Sequence, residues 1–130
     1  MKKSKLEAKG PYLKYRWLII RREMGHLCAY VKLWKGHPLE ALFKTEEVPY
    51  DKIDIGCHGG LTYSRRFTKK SLDKESKALG YTEDCWIGWD YAHAGDYVSY
   101  LPSLGDKKWT VDEIMKDCYE VIDELTKKYL

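Results

Sequence analysis

Two segments concentrate the side chains that can do chemistry, His58-Gly59-Gly60-Leu61-Thr62-Tyr63-Ser64 and Trp89-Asp90-Tyr91-Ala92-His93-Ala94-Gly95-Asp96. Histidine titrates near neutral pH, so it can move protons, bind metal or hold phosphate. A carboxylate orients an imidazole, which makes two histidines with Asp90 and Asp96 a hydrolytic acid–base set. The same residue types ligate a divalent metal. Consecutive N–H groups at Gly59 and Gly60 can cradle an anion. The catalytic candidates are therefore His58, His93 and Asp96. The ligand-binding candidates are His58, Gly59, Gly60, Thr62, Tyr63, Ser64, Trp86, Asp90, His93 and Asp96. Hydroxyl and imidazole groups there donate to phosphate or ribose, the aspartates accept from ribose hydroxyls, and aromatic stacking holds a base.

Several other chemistries lack their signature. The sequence has no phosphate-binding loop with its lysine, no His-Glu-x-x-His and no serine in a Gly-x-Ser-x-Gly elbow. Neither histidine stands in a His-x-Thr/Ser pair. Cys28, Cys57, Cys85 and Cys118 are scattered, with no Cys-x-x-Cys, so buried free thiols are expected rather than a zinc ribbon or redox pair. His26 with Cys28, and Cys57 with His58, lack zinc-site spacing. No resident metal or cofactor is expected.

The elements that must position these residues are read from periodicity. Residues 12–22 form a strand, Glu23-Met24-Gly25 turns, and 26–33 alternate as its hairpin partner. Residues 37–52 are a loop, or one helical turn at Leu39–Phe43. Ile53–His58 alternate as another strand, Gly59-Gly60 bend the chain, and Leu61–Ser64 continue it. Ser71–Leu79 is a weak helix candidate, and Cys85–Tyr91 the next strand. Thr110-Val111-Asp112-Glu113 is a capping box. It opens an amphipathic helix over 110–129, with Ile114, Cys118, Val121, Ile122 and Leu125 on one face.

The expected fold class is α+β: one domain, an antiparallel sheet of four to five strands packed against the C-terminal helix. Residues 1–11 are expected to be a flexible basic arm, and 12–130 the domain. The helix should cover the face holding Ile53, Ile55, Ile87 and Trp89. Asp54, Gly56, His58, Gly88 and Asp90 then share the other face, where Gly56 and Gly88 either open a shallow floor or make room for a bulge or Trp86.

A chain of 130 residues with 44% hydrophobic and 33% charged residues is one globular domain, and five Trp with eleven Tyr leave an aromatic binding surface open. Charge is unevenly spread: residues 1–22 carry eight Lys/Arg against one Glu, 65–77 carry six against two acids, and 80–106 carry five acids with no Lys or Arg. No apolar run has membrane-span length, and none follows the basic start as in a signal peptide, so a cytoplasmic location is expected.

The ordered motifs Gly25–Val31, Lys35–Leu39, Tyr50–Asp54, His58–Tyr63 and Trp86–Asp96 resemble a family of small, mostly uncharacterised bacteriophage and prophage proteins. The resemblance spans about residues 16–125 and is most specific in the last motif. The chain departs from it in a longer charged 65–84 segment, and in Trp89 and Tyr91 where Phe and often Cys are expected. The resemblance implies an accessory protein in the host cytoplasm, with a counter-defence role by analogy. The leading expectation is a protein that binds a small polar ligand, a nucleotide above all. The alternatives are a hydrolase using His58 and His93 with Asp96, and a protein-interaction inhibitor of a host factor acting through the basic segments. Nucleic acid is not an expected partner, because the site region is acidic. A homo-oligomer is left open.

Overall fold

The structure, a computed structural model, describes residues 3–44, 52–93, 95–97 and 106–129. Five strands run as β1 Lys5–Tyr12, β2 Tyr15–Arg21, β3 Leu27–Lys32, β4 Tyr63–Phe67 and β5 Asp84–Asp90. Two α-helices, α1 Lys74–Ala78 and α2 Val111–Lys128, and a 3-10 segment at Pro38–Lys44 complete the described elements. The strands form one sheet in the order β1-β2-β3-β5-β4, each pair antiparallel. The expected α+β architecture, a sheet under a C-terminal helix, is what the chain adopts.

Helix α2 begins where its sequence says. Thr110 accepts from the Glu113 backbone N–H, and the Glu113 carboxylate accepts from the Thr110 backbone in return. Its buried stripe of Ile114, Cys118, Val121, Ile122 and Leu125 joins one core with Trp17, Ile19, Val31, Ile87 and Trp89 from the sheet and with Ile53 and Ile55. The helix therefore covers the expected residues. Burial of this apolar surface is the main force holding it to the sheet.

Three expectations are corrected. Residues 5–11, read as part of an arm, form edge strand β1 on β2. The lysines hid it: Lys5 and Lys9 face solvent while Leu6, Ala8 and Tyr12 pack inward. Pro11 fits because an edge strand has a free side. A bulge lies between Leu6 and Ala8. Met1 and Lys2 lie outside the described residues, as does 45–51 of the loop expected over 37–52.

Second, residues 53–58 do not join the sheet. Ile53 and Ile55 alternate inward, but the segment runs along α2, where Glu124 accepts from the Gly56 backbone N–H at 2.9 Å. Period-two burial does not require a strand partner. Only β4, from Tyr63, continues into the ladder.

Third, the far face of the sheet is no polar floor. Leu18, Ile20, Cys28, Tyr30, Phe67, Leu79, Tyr81 and Trp86 form a second core there. Leu79 and Tyr81, from the charged 65–84 segment around α1, close it. Gly88 leaves room for Tyr30, whose ring would lie 2.5 Å from a β-carbon at that position. Tyr30 and Tyr81 both accept from the Arg22 guanidinium, at 2.6 and 3.0 Å.

His37 makes the fold sensitive to acid. Its ring is 2% exposed. Nδ1 accepts from the Leu39 backbone N–H at 3.1 Å, so the ring proton sits on Nε2 and donates to the Tyr15 hydroxyl at 2.8 Å. Burial pushes its pKa down from 6.5 to about 4. The native ring thus binds its proton less readily than the unfolded one. The stability it confers is complete above the unfolded value and is lost as pH falls towards the folded one. Urea unfolding should show a loss of about 3 kcal/mol across that window. A His37→Gln variant should remove most of the slope; an unchanged slope would place the titrating group elsewhere.

Candidate functional site

The site is assembled by two turns and the entry to α2. Gly60 N–H bonds back to the Cys57 carbonyl, and Gly59 and Gly60 adopt positive φ of 68° and 83°, turning the chain so that His58 leads into the bend. Gly59 also has to lack a side chain, because a β-carbon there would meet the His93 ring at 2.3 Å. After β5, Ala92 N–H bonds Asp90 Oδ1, and Asp96 N–H bonds the His93 carbonyl. A parallel bridge between Asp96 and Lys107 then brings Trp109 beside this turn, just ahead of the α2 cap.

Asp96 is the centre. It is 7% exposed, yet both carboxylate oxygens are filled. Oδ1 accepts from Trp109 Nε1 at 2.8 Å and faces His58 Nε2 at 3.0 Å; Oδ2 faces His58 Nε2 at 2.8 Å and accepts from the His93 backbone N–H at 3.0 Å. Burial alone would raise its pKa, but the bonds from His58, His93 and Trp109 together outweigh it and hold the carboxyl below its ordinary value. It is a carboxylate at neutral pH. His58 Nε2 must then carry the proton it donates, which leaves Nδ1 as the basic nitrogen.

His58 is further fixed by rings. It stacks on Tyr91 at 4.5 Å and 13°, and meets Trp109 and His93 edge-on at 4.8 and 5.6 Å. Tyr91 is anchored in turn, donating to Asp117 at 2.6 Å and accepting from Trp89 Nε1 at 3.0 Å. His93 Nδ1 lies 3.5 Å from Asp96 Oδ2 and 3.7 Å from Asp90 Oδ1, and it is buried without a hydrogen bond. Thr62 donates to Asp90 Oδ2 at 2.9 Å. One ligand atom each from His58, His93 and Asp96 lie within 4.8 Å of one another, close enough for a shared metal ion.

No family model, curated protein or solved structure matches this chain. Its chemistry has to be read from its own residues.

The expected residues divide cleanly. His58, Gly59, Thr62, Asp90, His93 and Asp96 come together. Trp86 does not: it is fully buried in the second core, with its indole N–H on the Thr82 carbonyl. Tyr63 packs on that same far side, edge-on to Tyr30 at 5.0 Å. Ser64 sits on β4 opposite Ile87, and nothing lies within 4 Å of the β-carbon position of Gly60. Two residues were missed, Trp109 and Tyr91. Trp109 stands directly before the capping box, where it reads as a helix staple; only the bridge at Lys107 reveals that it faces Asp96.

Two cavities flank Trp109. One of 330 Å³ is lined by Gly56, Cys57, His58, Trp109, Asp117, Glu120 and Val121, with no lysine or arginine among the described residues that line it. Burial pushes the Cys57 thiol up to about 12, so it stays protonated at neutral pH and is a poor nucleophile there. The other, of 240 Å³, is lined by Arg21 and Lys108 with Tyr91, Tyr97, Trp109, Gly25 and Leu27. No helix among the described residues is long and apolar enough to cross a membrane.

Proposed function

We propose that this protein is a hydrolytic enzyme acting on a small polar ligand, with His58 as the proton-transferring base and Asp96 as the group that orients it. The observation that carries this is the buried Asp96 carboxylate, which holds the imidazole of a residue 38 positions away at the edge of a cleft. A carboxylate that fixes one ring nitrogen leaves the other aligned to take a proton from water or substrate. His93 stands beside it as the second imidazole. Asp117 and Glu120 rim the cleft, so the group that reaches His58 is neutral or cationic rather than a phosphate.

A second reading, a nucleotide-class ligand held without turnover, is favoured by the cavity across Trp109. There Arg21 and Lys108 offer positive charge and Tyr91, Tyr97 and Trp109 offer ring faces. The phage accessory setting, and any counter-defence role, rest on the motif resemblance and add a place of action rather than a chemistry.

Product formation across a panel of small esters, amides, glycosides and nucleotides separates the two. Under the hydrolytic reading the native protein turns over at least one class, and His58→Ala lowers kcat/KM by about 10²–10⁴. Tight binding of nucleotides with no product, weakened by Arg21→Ala and Lys108→Ala but not by His58→Ala, would replace it with the second. Turnover that survives His58→Ala would end the assignment of that residue.

A further inference from the structure

We propose that His58 Nε2, His93 Nδ1 and Asp96 Oδ2 form a three-ligand centre for a divalent transition metal of the zinc class. The inference rests on the same cluster as the hydrolytic reading and changes one role in it: a bound cation would supply the activated water, and His58, as its ligand through Nε2, would no longer be the base. Metal binding can be measured whether or not any substrate is found.

Geometry supports it first. A tetrahedral ion with bonds of about 2.0–2.1 Å keeps its ligand atoms about 3.3 Å apart. His93 Nδ1 is already 3.5 Å from Asp96 Oδ2. His58 Nε2, at 2.8 Å from the same oxygen, needs to give up its proton and move back by about half an ångström. One ligand atom from each of the three residues lies within 4.8 Å of the other two.

The bonding around the cluster points the same way. His93 Nδ1 is buried and makes no hydrogen bond, which is rare for a ring nitrogen beside two carboxylates. A metal would complete it. Trp109 takes Asp96 Oδ1 and leaves Oδ2 turned towards both histidines, the outer hydrogen bond that ligating carboxylates characteristically carry. Gly59 gives the His93 ring the space it occupies. The side chains of His58 and His93 are 25% and 36% exposed, so an ion can enter and water can fill the remaining positions. Two imidazoles and one carboxylate suit zinc, cobalt, iron or nickel, and not magnesium or calcium, which prefer oxygen throughout.

The chain has only four histidines, His26, His37, His58 and His93, which makes the test clean. The full-length protein, stripped with chelator, is titrated with Zn²⁺ against a chromophoric competitor and with Co²⁺ by visible absorption. The expected result is one equivalent of Zn²⁺, intense Co²⁺ bands of low coordination number, and no competition from Mg²⁺. His58→Ala and His93→Ala should each abolish stoichiometric binding, Trp109→Phe should weaken it about tenfold to a hundredfold, and His26→Ala should leave it unchanged. Because the variants can perturb folding, the native protein is also followed by NMR. Zn²⁺ should shift the ring signals of His58 and His93 and spare those of His26 and His37. Sub-stoichiometric binding, binding that survives both alanine variants, or shifts confined to the other two histidines would overturn the proposal. Stoichiometric zinc without turnover keeps this inference and sinks the hydrolytic reading; turnover by the stripped protein together with no stoichiometric Zn²⁺ binding does the reverse.

Discussion

The unfolding free energy in urea is expected to fall by about 3 kcal/mol when Asp96 is replaced by alanine. The side chain is nearly sealed from solvent, and its two oxygens satisfy three separate donors: His58 Nε2, Trp109 Nε1 and the His93 backbone N–H. Alanine leaves all three without their protein partner. Stranding donors costs more than the bonds themselves contributed. Asp96→Asn should cost less, because one carbonyl oxygen remains to accept, but its amide hydrogens must face at least one of the donors. The denaturant slope should stay constant in both variants, since the same surface is exposed on unfolding. A loss below about 1 kcal/mol for the alanine variant would mean that solvent replaces the carboxylate and that the network does not hold the two loops together.

Gly88→Ala should destabilise the protein by a comparable amount, about 3 kcal/mol, the upper end of what overpacking costs. Gly88 lies mid-strand in β5, opposite Tyr30 on one side and Tyr63 on the other. A β-carbon would stand 2.5 Å from the Tyr30 ring and 2.8 Å from the Ala29 carbonyl oxygen. The first contact is with a ring held in place by Arg22 and the second with backbone, so neither can yield cheaply. The cause can be isolated with a double-mutant cycle. Tyr30→Ala removes the ring and should absorb much of the penalty, so the two losses should not add. Strict additivity would assign the cost to the backbone contact alone.

The two cases show how far the chain could be read beforehand. Helix α2 was legible because its signal is local: a reciprocal cap followed by a 3.6-residue stripe. The β2–β3 hairpin and β5 were legible because each shows period-two burial around a turn or glycine. The convergence of His58, His93 and Asp96 was also within reach, since both segments were picked out by residue type. What could not be read depends on pairing. Ile53 and Ile55 alternate as a strand would, yet they dock on a helix, and alternation reports one buried face without naming the neighbour. Lys5, Lys9 and Pro11 disguise β1 because an edge strand needs only half its contacts. Trp86 looked like a ligand platform from its place in a motif, and its burial follows from a second layer that the charge of residues 65–84 concealed. Trp109 gave no sign of its bond to Asp96, because a chain bridge, and not the helix pattern, puts it there.

The sheet borders have a consequence for the protein in crowded or concentrated solution. β1 and β4 are the outermost strands, and each is ill suited to recruit another chain. β1 presents exposed Lys5 and Lys9, a bulge after Leu6, and Pro11, which has no N–H to offer. β4 presents exposed Arg65 and Arg66. Two copies approaching border to border would bring cations against cations along a ladder already interrupted. The basic stretches at the two ends of the sheet therefore act as guards against fibril growth, and raising ionic strength would relax that protection on both sides at once.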